Sequence, residues 1–268
     1  MKIAVTGGTG KLGSALLPYL LAEGHAVRSL DARPPDAPMD GVETLQVELT
    51  DALAVLRAFE GCGAVIHLGA IPSPRLDPAY VVHSNNVEGG YNVLWAAAEL
   101  GIWRVCLASS INAIGGVYSR KPRYDDFPLD EDHPSYAEDP YSLSKWILEQ
   151  QGDAFARRFE NMRIASLRFH GLVANREQMN AARADLVIKH LWGYTLLSSA
   201  ARACLLGVTA DFRGHHTMYV VAPDTSVSTP TDELLREHYP GTPARKALPG
   251  SASLFDSSKA ARILGWTH

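Results

Sequence analysis

The 268-residue sequence has few of the features that mark membrane, secreted or nucleic-acid-binding proteins. It contains only three cysteines, Cys62, Cys106 and Cys204, and their apolar neighbours are typical of buried reduced thiols rather than of disulfides or metal ligands. A formal net charge of -4 provides no electrostatic attraction to nucleic acid. The longest apolar tract, residues 191–210, contains Arg202 and is too mixed to cross a bilayer. No signal-like segment precedes the first strand pattern, so we expect a cytoplasmic protein.

Strand-like and helix-like segments alternate along the chain. Strands are predicted at residues 3–5, 26–30, 43–49, 64–70, 104–108 and 162–169, and helices at 12–22, 52–59, 88–100 and 141–159. This alternation predicts an α/β fold with a doubly wound parallel Rossmann sheet. The C-terminal third is less regular, with helical patterns at 181–206 and 231–238 around a strand pattern at 217–221. We predict a nucleotide-binding domain over residues 1–170 and a small substrate-binding lobe over 171–268, interleaved with the end of the sheet.

A glycine-rich turn joins the first predicted strand to the first predicted helix. Gly7 permits a tight turn, Gly10 lets the backbone approach a pyrophosphate, and Gly13 lets the helix lie close to the sheet. The unpaired N–H groups of the helix N-terminus and its dipole attract phosphate. An ordinary glycine turn is the alternative. The residues predicted to bind the phosphates are Gly7, Thr9, Gly10, Lys11, Leu12 and Gly13.

Asp31 follows the second predicted strand, about 20 residues beyond the glycine turn, where a carboxylate can accept a hydrogen bond from a ribose 2′-hydroxyl. A 2′-phosphate would meet like charge there, so Asp31 favours NAD. Arg33 lies two residues further on and could bind a 2′-phosphate, which leaves NADP as the alternative.

Tyr141 and Lys145 lie four residues apart, so a helix projects them from one face. A free phenol has a pKa of about 10, too high for a base at neutral pH. A nearby ammonium and a cationic nicotinamide would favour the phenolate. Ser110, at the end of the fifth predicted strand, would hold the substrate oxygen. We predict that Ser110, Tyr141 and Lys145 are the catalytic residues, although this spacing on a helix also arises by chance.

These segments together resemble the extended short-chain dehydrogenase/reductase family, the NAD-dependent epimerase/dehydratase group, over nearly the whole chain. The glycine turn is similar to its Gly-x-x-Gly-x-x-Gly loop, and residues 67–70 (HLGA) to its strand end beside the nicotinamide ribose. Residues 86–89 (NVEG) are similar to its Asn-Val-x-Gly helix start, and residues 258–266 to its C-terminal signature. Tyr141 and Lys145 fall where the family has its catalytic pair.

The resemblance implies an NAD-dependent oxidoreductase and adds further site residues. The added cofactor-binding residues are Glu48, Leu49, Leu68, Gly69, Ala70, Asn86, Ala108, Ser109 and Phe169, besides Asp31, Arg33, Tyr141 and Lys145. The expected substrate-binding residues are Ser110, Asn112, Tyr141, His170 and Arg176. The family also implies a homodimer packed through the helices near Asn86 and Tyr141, with Leu94, Ala98, Trp146 and Phe155 on their outer faces.

Departures from the family pattern reduce the number of activities that we expect for this chain. Gly171 stands where nucleotide-sugar epimerases carry an Asn that contacts substrate, and Ser110 lacks the following acidic pair of the dehydratases. Residues 108–116 are instead similar to the corresponding segment of uronate dehydrogenases, which have chains of about this length. We therefore expect hydride transfer at a secondary hydroxyl or carbonyl of a sugar, sugar acid or related small molecule. The alternatives are a nucleotide-sugar 4-epimerase with tightly bound NAD and a non-catalytic NAD(P)-sensing protein.

Two further groups of residues remain candidates or are set aside. Arg75, Arg168 and Arg176 are the cations that could hold an anionic group of the substrate, although we expect at least two of them to be solvated or paired within the protein. His215 and His216 are adjacent, and neighbouring residues on a strand point to opposite faces, so we expect no metal site there.

Overall fold

The computed structural model describes residues 1–181 and 184–268. The strands of this part of the chain are β1 (Lys2–Thr6), β2 (Ala26–Asp31), β3 (Val42–Gln46), β4 (Ala64–His67), β5 (Arg104–Ser110), β6 (Arg163–Phe169), β7 (Leu172–Val173), β8 (Thr195–Leu196) and β9 (Gly214–Val220). Its α-helices are α1 (Lys11–Ala22), α2 (Ala52–Phe59), α3 (Ala79–Glu99), α4 (Pro140–Arg158), α5 (Ala184–Lys189), α6 (Leu197–Thr209), α7 (Thr231–His238) and α8 (Ser258–Leu264). Short 3-10 helices span Ile111–Ile114 and Arg176–Ala181.

Seven strands form one parallel sheet in the order β3-β2-β1-β4-β5-β6-β9, and β7 pairs with β8 in a separate two-stranded ribbon. The chain winds outward from β1 in one direction and then outward from β4 in the other. A crevice therefore opens at the carboxyl ends of β1 and β4, the position at which ligands bind in such sheets. The predicted doubly wound α/β fold is confirmed.

Each face of the sheet is covered by helices, because alternate residues of a strand point to opposite sides. Ile3 and Val5 of β1 pack in one cluster with apolar residues of α1, α6 and α8. Ala4, between them, packs in the other cluster with residues of α2, α3 and α4. The two buried layers hold the strand ends in fixed positions, so that the loops following them can form a site.

The third predicted strand (43–49) ends earlier, at Gln46, and two predicted helices also differ in the structure. A helix was expected to start near Asn86, but α3 begins at Ala79, directly after Pro78, and Asn86 lies in its interior. The Asn86 side chain bonds the loop at Ile71 instead of capping a helix. The expected helix over 181–206 is also wrong, because α5 and α6 are separated by a turn and by β8. In that turn Leu191 and Trp192 have positive φ values of 55° and 52°, which no continuous right-handed helix allows.

The segments outside the main sheet pack on one another in a third apolar cluster. It contains Phe127 from the long β5–α4 connection, Tyr219 of β9, and Phe255 near the C-terminus. Backbone hydrogen bonds from Phe127 N to Pro243 O (2.9 Å) and from Leu129 N to Leu254 O (2.8 Å) join these segments. β9 belongs to the main sheet although it follows residue 170. The division at residue 170 stays a prediction.

The outer faces expected for a dimer are partly wrong. Leu94, Ala98 and Phe155 are buried in the core of the chain, because α3 and α4 pack against each other and the sheet. Trp146 is 38% exposed, and Tyr91 of α3 is 46% exposed. Within residues 1–181 and 184–268, no helix is both long and apolar enough to cross a membrane.

Candidate active site

A cavity of about 650 Å³ lies at the carboxyl ends of β1, β2, β4, β5 and β6. Every residue predicted to bind the cofactor lines it except Asn86, and so do Ser110, Tyr141 and His170 from the substrate set. Asn112 and Arg176 lie outside the lining. The sheet therefore gathers residues from position 7 to position 170 around one space.

The glycine turn forms one end of this cavity. Gly7 has a φ of 70°, and a Cβ atom there would lie 2.6 Å from the backbone nitrogen of Gly69, so glycine is required. Gly10 is the N-cap of α1, whose first turn carries no acidic residue and receives no side-chain cap. The N–H groups of this helix end therefore face the cavity without a protein partner of opposite charge, which suits a phosphate.

Asp31 lies at the end of β2 beside the glycine turn. Its Oδ2 accepts a hydrogen bond from the Thr9 backbone N–H at 3.2 Å, and its Oδ1 accepts one from the Arg33 N–H at 3.2 Å. The carboxylate thus holds the turn while still lining the cavity. The exposed Arg33 and Glu48 complete this end.

Asn86 acts beside the cavity rather than in its wall. Its side-chain oxygen accepts from the Ile71 N–H at 2.8 Å, and its amide nitrogen donates to Ile71 O and to Ser144 Oγ, each at 3.1 Å. It therefore anchors the loop after β4 to α3 and α4, and neighbouring Asn85 lines the cavity instead.

Tyr141 and Lys145 project from the first turns of α4 into the middle of the cavity. Asp139 caps this helix, because its Oδ1 accepts from the N–H groups of Tyr141 and Ser142, both at 3.0 Å. Lys145 Nζ donates to the Ala108 carbonyl at 2.6 Å and lies 5.9 Å from the centre of the Tyr141 ring. The helix and the end of β5 therefore fix both side chains.

Burial controls the protonation of this pair. It raises the pKa of Tyr141 to about 12, opposed by a hydrogen bond from Ser110. It lowers the pKa of Lys145 to about 8, opposed by the Glu149 carboxylate. The sequence argument expected a lowered tyrosine pKa from two positive charges together; in the protein itself desolvation of the phenolate prevails.

Ser110 is held by its own loop. Its Oγ accepts from the backbone N–H of Asn112 at 3.1 Å, and the Asn112 amide lies 3.4 Å away. Asn112 Oδ1 in turn accepts from the Val117 N–H at 3.1 Å. Asn112 is buried and bonds Ser110, and its direct contact with substrate stays a prediction.

His170 lines the cavity next to Phe169, but both of its ring nitrogens are used. Nδ1 accepts from the Gly171 N–H at 2.6 Å, so Nε2 carries the proton and donates to His190 O at 2.7 Å. Burial lowers the pKa of His170 to about 3, which keeps the ring neutral. It shapes the wall and offers no free nitrogen to a substrate.

The three candidate arginines differ in exposure and in whether they are paired with a carboxylate. Arg168 is buried and bidentate with Glu149, at 2.8 and 2.9 Å, and Arg176 pairs with Asp224 at 3.0 Å. Arg75 is exposed and, within the described ranges, has no carboxylate partner. Arg168 and Arg176 are therefore both paired with carboxylates inside the protein, which leaves Arg75 as the candidate among the three for an anionic substrate group.

Arg75 also has an aromatic neighbour that the sequence did not reveal. Its guanidinium lies 5.9 Å from the centre of the Tyr118 ring. The Tyr118 ring in turn packs edge-on against the ring of Tyr141, 5.8 Å between centres. The loop after β4 and the loop after β5 therefore bring a cation near the predicted catalytic tyrosine.

The adjacent histidines His215 and His216 contact other protein side chains. His215 Nδ1 pairs with Asp153 at 2.7 Å and Nε2 with Ser166 Oγ at 2.8 Å, while His216 packs against Phe212. No metal-binding group of three His, Cys, Asp or Glu side chains occurs in the part of the chain that the structure describes.

With the site defined, comparison with known proteins decides the family. The model of the "NAD dependent epimerase/dehydratase family" matches residues 3–192. The chain belongs to that family. It is therefore an NAD-dependent protein of the extended short-chain dehydrogenase/reductase type, whose members include dehydrogenases, epimerases and reductases, as the sequence predicted.

Three members illustrate the range of this family. The chain is 30% identical over 185 residues to an NAD-dependent glucose-6-phosphate dehydrogenase of Haloferax volcanii, covering 63% of this chain and 69% of that protein. It is 34% identical over 155 residues to a 2-alkyl-3-oxoalkanoate reductase of Stenotrophomonas maltophilia, covering 56% of this chain and 45% of that protein. The solved glucuronic acid dehydrogenase of Chromohalobacter salexigens has the same fold, with a TM-score of 0.73 at 24% identity, covering 99% of this chain and 83% of that one.

Proposed function

We propose that this family member is a dehydrogenase that interconverts a secondary hydroxyl and a carbonyl of a small anionic sugar. The observation that carries the proposal is that Ser110, Tyr141 and Lys145 line one cavity together with the glycine turn. A phenol and a hydroxyl next to a dinucleotide-type cradle can supply the general base and the hydrogen-bond donor for hydride transfer at an alcohol carbon.

The residues that fit NAD are those lining the cavity from the glycine turn to Phe169. The N–H groups at the start of α1 suit the pyrophosphate, and Asp31 suits a ribose hydroxyl. When bound, NAD supplies the nicotinamide carbon that exchanges a hydride with the substrate carbon.

In the oxidation direction Tyr141 takes the proton of the substrate hydroxyl at its phenolic oxygen. Ser110 donates a hydrogen bond to the same substrate oxygen and keeps it in line. Positive charge beside the Tyr141 ring favours its phenolate against the burial that raises its pKa. Lys145, fixed by its bond to Ala108 O, contributes that charge.

Arg75 supports an anionic substrate. It is exposed beside Tyr118, which packs on Tyr141, whereas Arg168 and Arg176 are paired with carboxylates. The names of two relatives, a glucose-6-phosphate dehydrogenase and a glucuronic acid dehydrogenase, also denote substrates with an anionic group. We assign Arg75 to the phosphate or carboxylate of the sugar.

The test is NADH formation from uronic acids, aldose phosphates and neutral aldoses, with wild type and Arg75→Gln. Anionic sugars should give the higher kcat/KM, and Arg75→Gln should lower that value about tenfold through KM, as expected when one charged contact is lost. Arg33→Gln, the same change at the other end of the cavity, is the control and should leave the sugar KM unchanged. Equal use of neutral and anionic sugars would contradict the anionic class; no turnover on any sugar would contradict the dehydrogenase assignment.

The 4-epimerase alternative is distinguished by cofactor retention. An epimerase returns the hydride to its substrate and keeps NAD bound, whereas a dehydrogenase exchanges it. To measure retention, we would purify the protein without added nucleotide and then denature it to release any bound nucleotide. The released nucleotide is quantified by absorbance and identified by mass. We expect little NAD; near-stoichiometric NAD that survives dialysis would favour the epimerase. A non-catalytic NAD(P) sensor would bind nucleotide and turn over no alcohol.

We also propose that the protein is a cytoplasmic homodimer. The exposed aromatic side chains Tyr91 of α3 and Trp146 of α4 support the contact, since large exposed aromatics are typical of interfaces. Sedimentation at micromolar concentration should give a dimer, and Trp146→Ser should shift it toward monomer.

A further inference from the structure

Glu149 is a buried carboxylate next to the predicted catalytic pair. Tyr141, Lys145 and Glu149 follow one another at intervals of four along α4, so they share one face of the helix. Glu149 is only 2% exposed. A buried charge of this kind needs partners, and its partners connect it to the strand ends that carry the site.

The carboxylate of Glu149 joins two neighbouring strands. Its Oε1 accepts from Ser109 Oγ at 2.5 Å and from Arg168 Nε at 2.9 Å, and its Oε2 accepts from Arg168 Nη2 at 2.8 Å. Ser109 of β5 and Arg168 of β6 are register partners in the sheet. One side chain of α4 thus holds both strands at the same level.

The register pair Ser109–Arg168 directly precedes the register pair that contributes to the site. The next register pair is Ser110 with Phe169, which are the predicted catalytic serine and a wall of the cavity. The residue preceding Ser109 is Ala108, whose carbonyl accepts the hydrogen bond of Lys145. A shift of Ser109 relative to α4 would therefore move both the serine and the acceptor of the lysine.

We propose that Glu149 is a positioning residue, which fixes the ends of β5 and β6 against α4 and places a negative charge near Lys145. The inference rests on the proposed roles of Ser110, Tyr141 and Lys145. Glu149 touches no substrate, since Ser109 and Arg168 occupy its oxygens.

The charge has a consequence for Lys145. The titratable and charged groups around Lys145 are Tyr141 and Glu149 on its own helix, His67 at the end of β4, and Arg168 behind Glu149. Glu149 opposes the effect of burial and raises the pKa of Lys145. Its removal should therefore make Lys145 lose its proton at lower pH.

The first test follows the Lys145 side chain itself and needs neither NAD nor substrate. Protein labelled with ¹³C at lysine Cε is titrated by NMR, and the signal is assigned with Lys145→Met. The wild-type midpoint should lie near the pKa of about 8, and Glu149→Gln should lower it by about one pH unit. Glu149→Asp retains the charge and should stay near wild type. Tyr219→Phe, which removes only the hydroxyl that bonds Arg168 on its far side, is the matched control.

The second test separates positioning from charge. Ser109→Ala removes one contact of Glu149 without changing charge, so it should lower kcat about tenfold, while the Lys145 midpoint stays near the wild-type value. A folded Glu149→Gln with an unshifted Lys145 midpoint would overturn the charge role. Unchanged kcat in Ser109→Ala would overturn the positioning role. This result is decisive even if Glu149→Gln does not fold. If the wild type itself turns over no alcohol, the proposed function fails while the titration still decides the charge role.

Discussion

At the scale of single residues, we propose that the choice between the two nicotinamide dinucleotides depends on Asp31. Its two oxygens hold the N–H groups of Thr9 and Arg33, so the carboxylate is fixed where an adenosine ribose would lie. A fixed negative charge repels a 2′-phosphate and accepts hydrogen bonds from free hydroxyls. Arg33 is exposed, and within residues 1–181 and 184–268 its recorded hydrogen bond to Asp31 comes from its backbone N–H and not from its guanidinium.

We predict that Asp31→Asn weakens NADH binding about tenfold, since a charged hydrogen bond is worth about 1.5 kcal/mol or more. NADPH binding should fall less or improve, because the repulsion is removed. Fluorescence titration with both nucleotides measures the ratio. Asp36→Asn makes the same change in the exposed loop a few residues on and should leave both affinities unaltered. An unchanged ratio in Asp31→Asn would refute the role of Asp31.

At the scale of secondary structure, the N-cap of α4 ties helix stability to catalysis. Asp139 caps α4 through the N–H groups of Tyr141 and Ser142, and Asp51 caps α2 through that of Ala54 at 2.9 Å. Both are aspartates at the start of a helix packed on the same face of the sheet. Of these two helices, α4 carries the site residues Tyr141 and Lys145.

Asp139→Ala and Asp51→Ala should each lower the free energy of unfolding by about 1 kcal/mol, the usual cost of an N-cap. Only Asp139→Ala should also lower kcat, because it loosens the turn that holds Tyr141. Denaturant unfolding and NADH formation measure the two effects. Equal kcat in both variants would show that the cap serves stability alone.

Elements with strong local signals were predictable from the sequence. The structure has α2 at Ala52–Phe59 and α7 at Thr231–His238, the predicted bounds, since capping residues, apolar spacing and nearby prolines are all local. The start of α3 was missed because Asn86 is paired with Ile71, a contact across a loop that no local pattern encodes.

The candidate site was predictable where a motif defines it. The glycine turn, Asp31 and the Tyr141–Lys145 pair all line the cavity. The sequence could not show that Arg168 is paired with a carboxylate while Arg75 is exposed, because the pairing of Arg168 with Glu149 depends on how α4 packs on β6. The spacing of Lys145 and Glu149 was visible, but the pairing of Glu149 with β5 and β6 required the sheet register.

At the scale of the whole molecule, neutral buried histidines make stability depend on pH. Burial lowers the pKa of His67 and His170 to about 3 and of His190 to about 4. In the unfolded chain each binds a proton near its ordinary pKa of about 6.5. The unfolded state therefore binds more protons between these values, so stability is full above the unfolded pKa and is lost as pH falls.

We predict that the free energy of unfolding decreases as pH falls from about 7 to about 5, by up to roughly 1.4 kcal/mol per pH unit for each buried histidine. Urea unfolding across this range measures it. His67→Gln, which can still bond Thr6, should reduce the slope, because it removes one of the histidines whose pKa is lowered by burial. A stability that is constant over this range would contradict the burial of neutral histidines.

The central claim is that Tyr141 is the base of an NAD-dependent dehydrogenase. The measurement that tests it most directly compares NADH formation by wild type and Tyr141→Phe on an anionic sugar, with NADH affinity measured on both. The ring and its packing against Tyr118 remain in this variant, and only the hydroxyl is lost. We predict a loss of kcat of about a thousandfold with nearly unchanged affinity. A Tyr141→Phe variant that binds NADH and turns over at the wild-type rate would contradict the account.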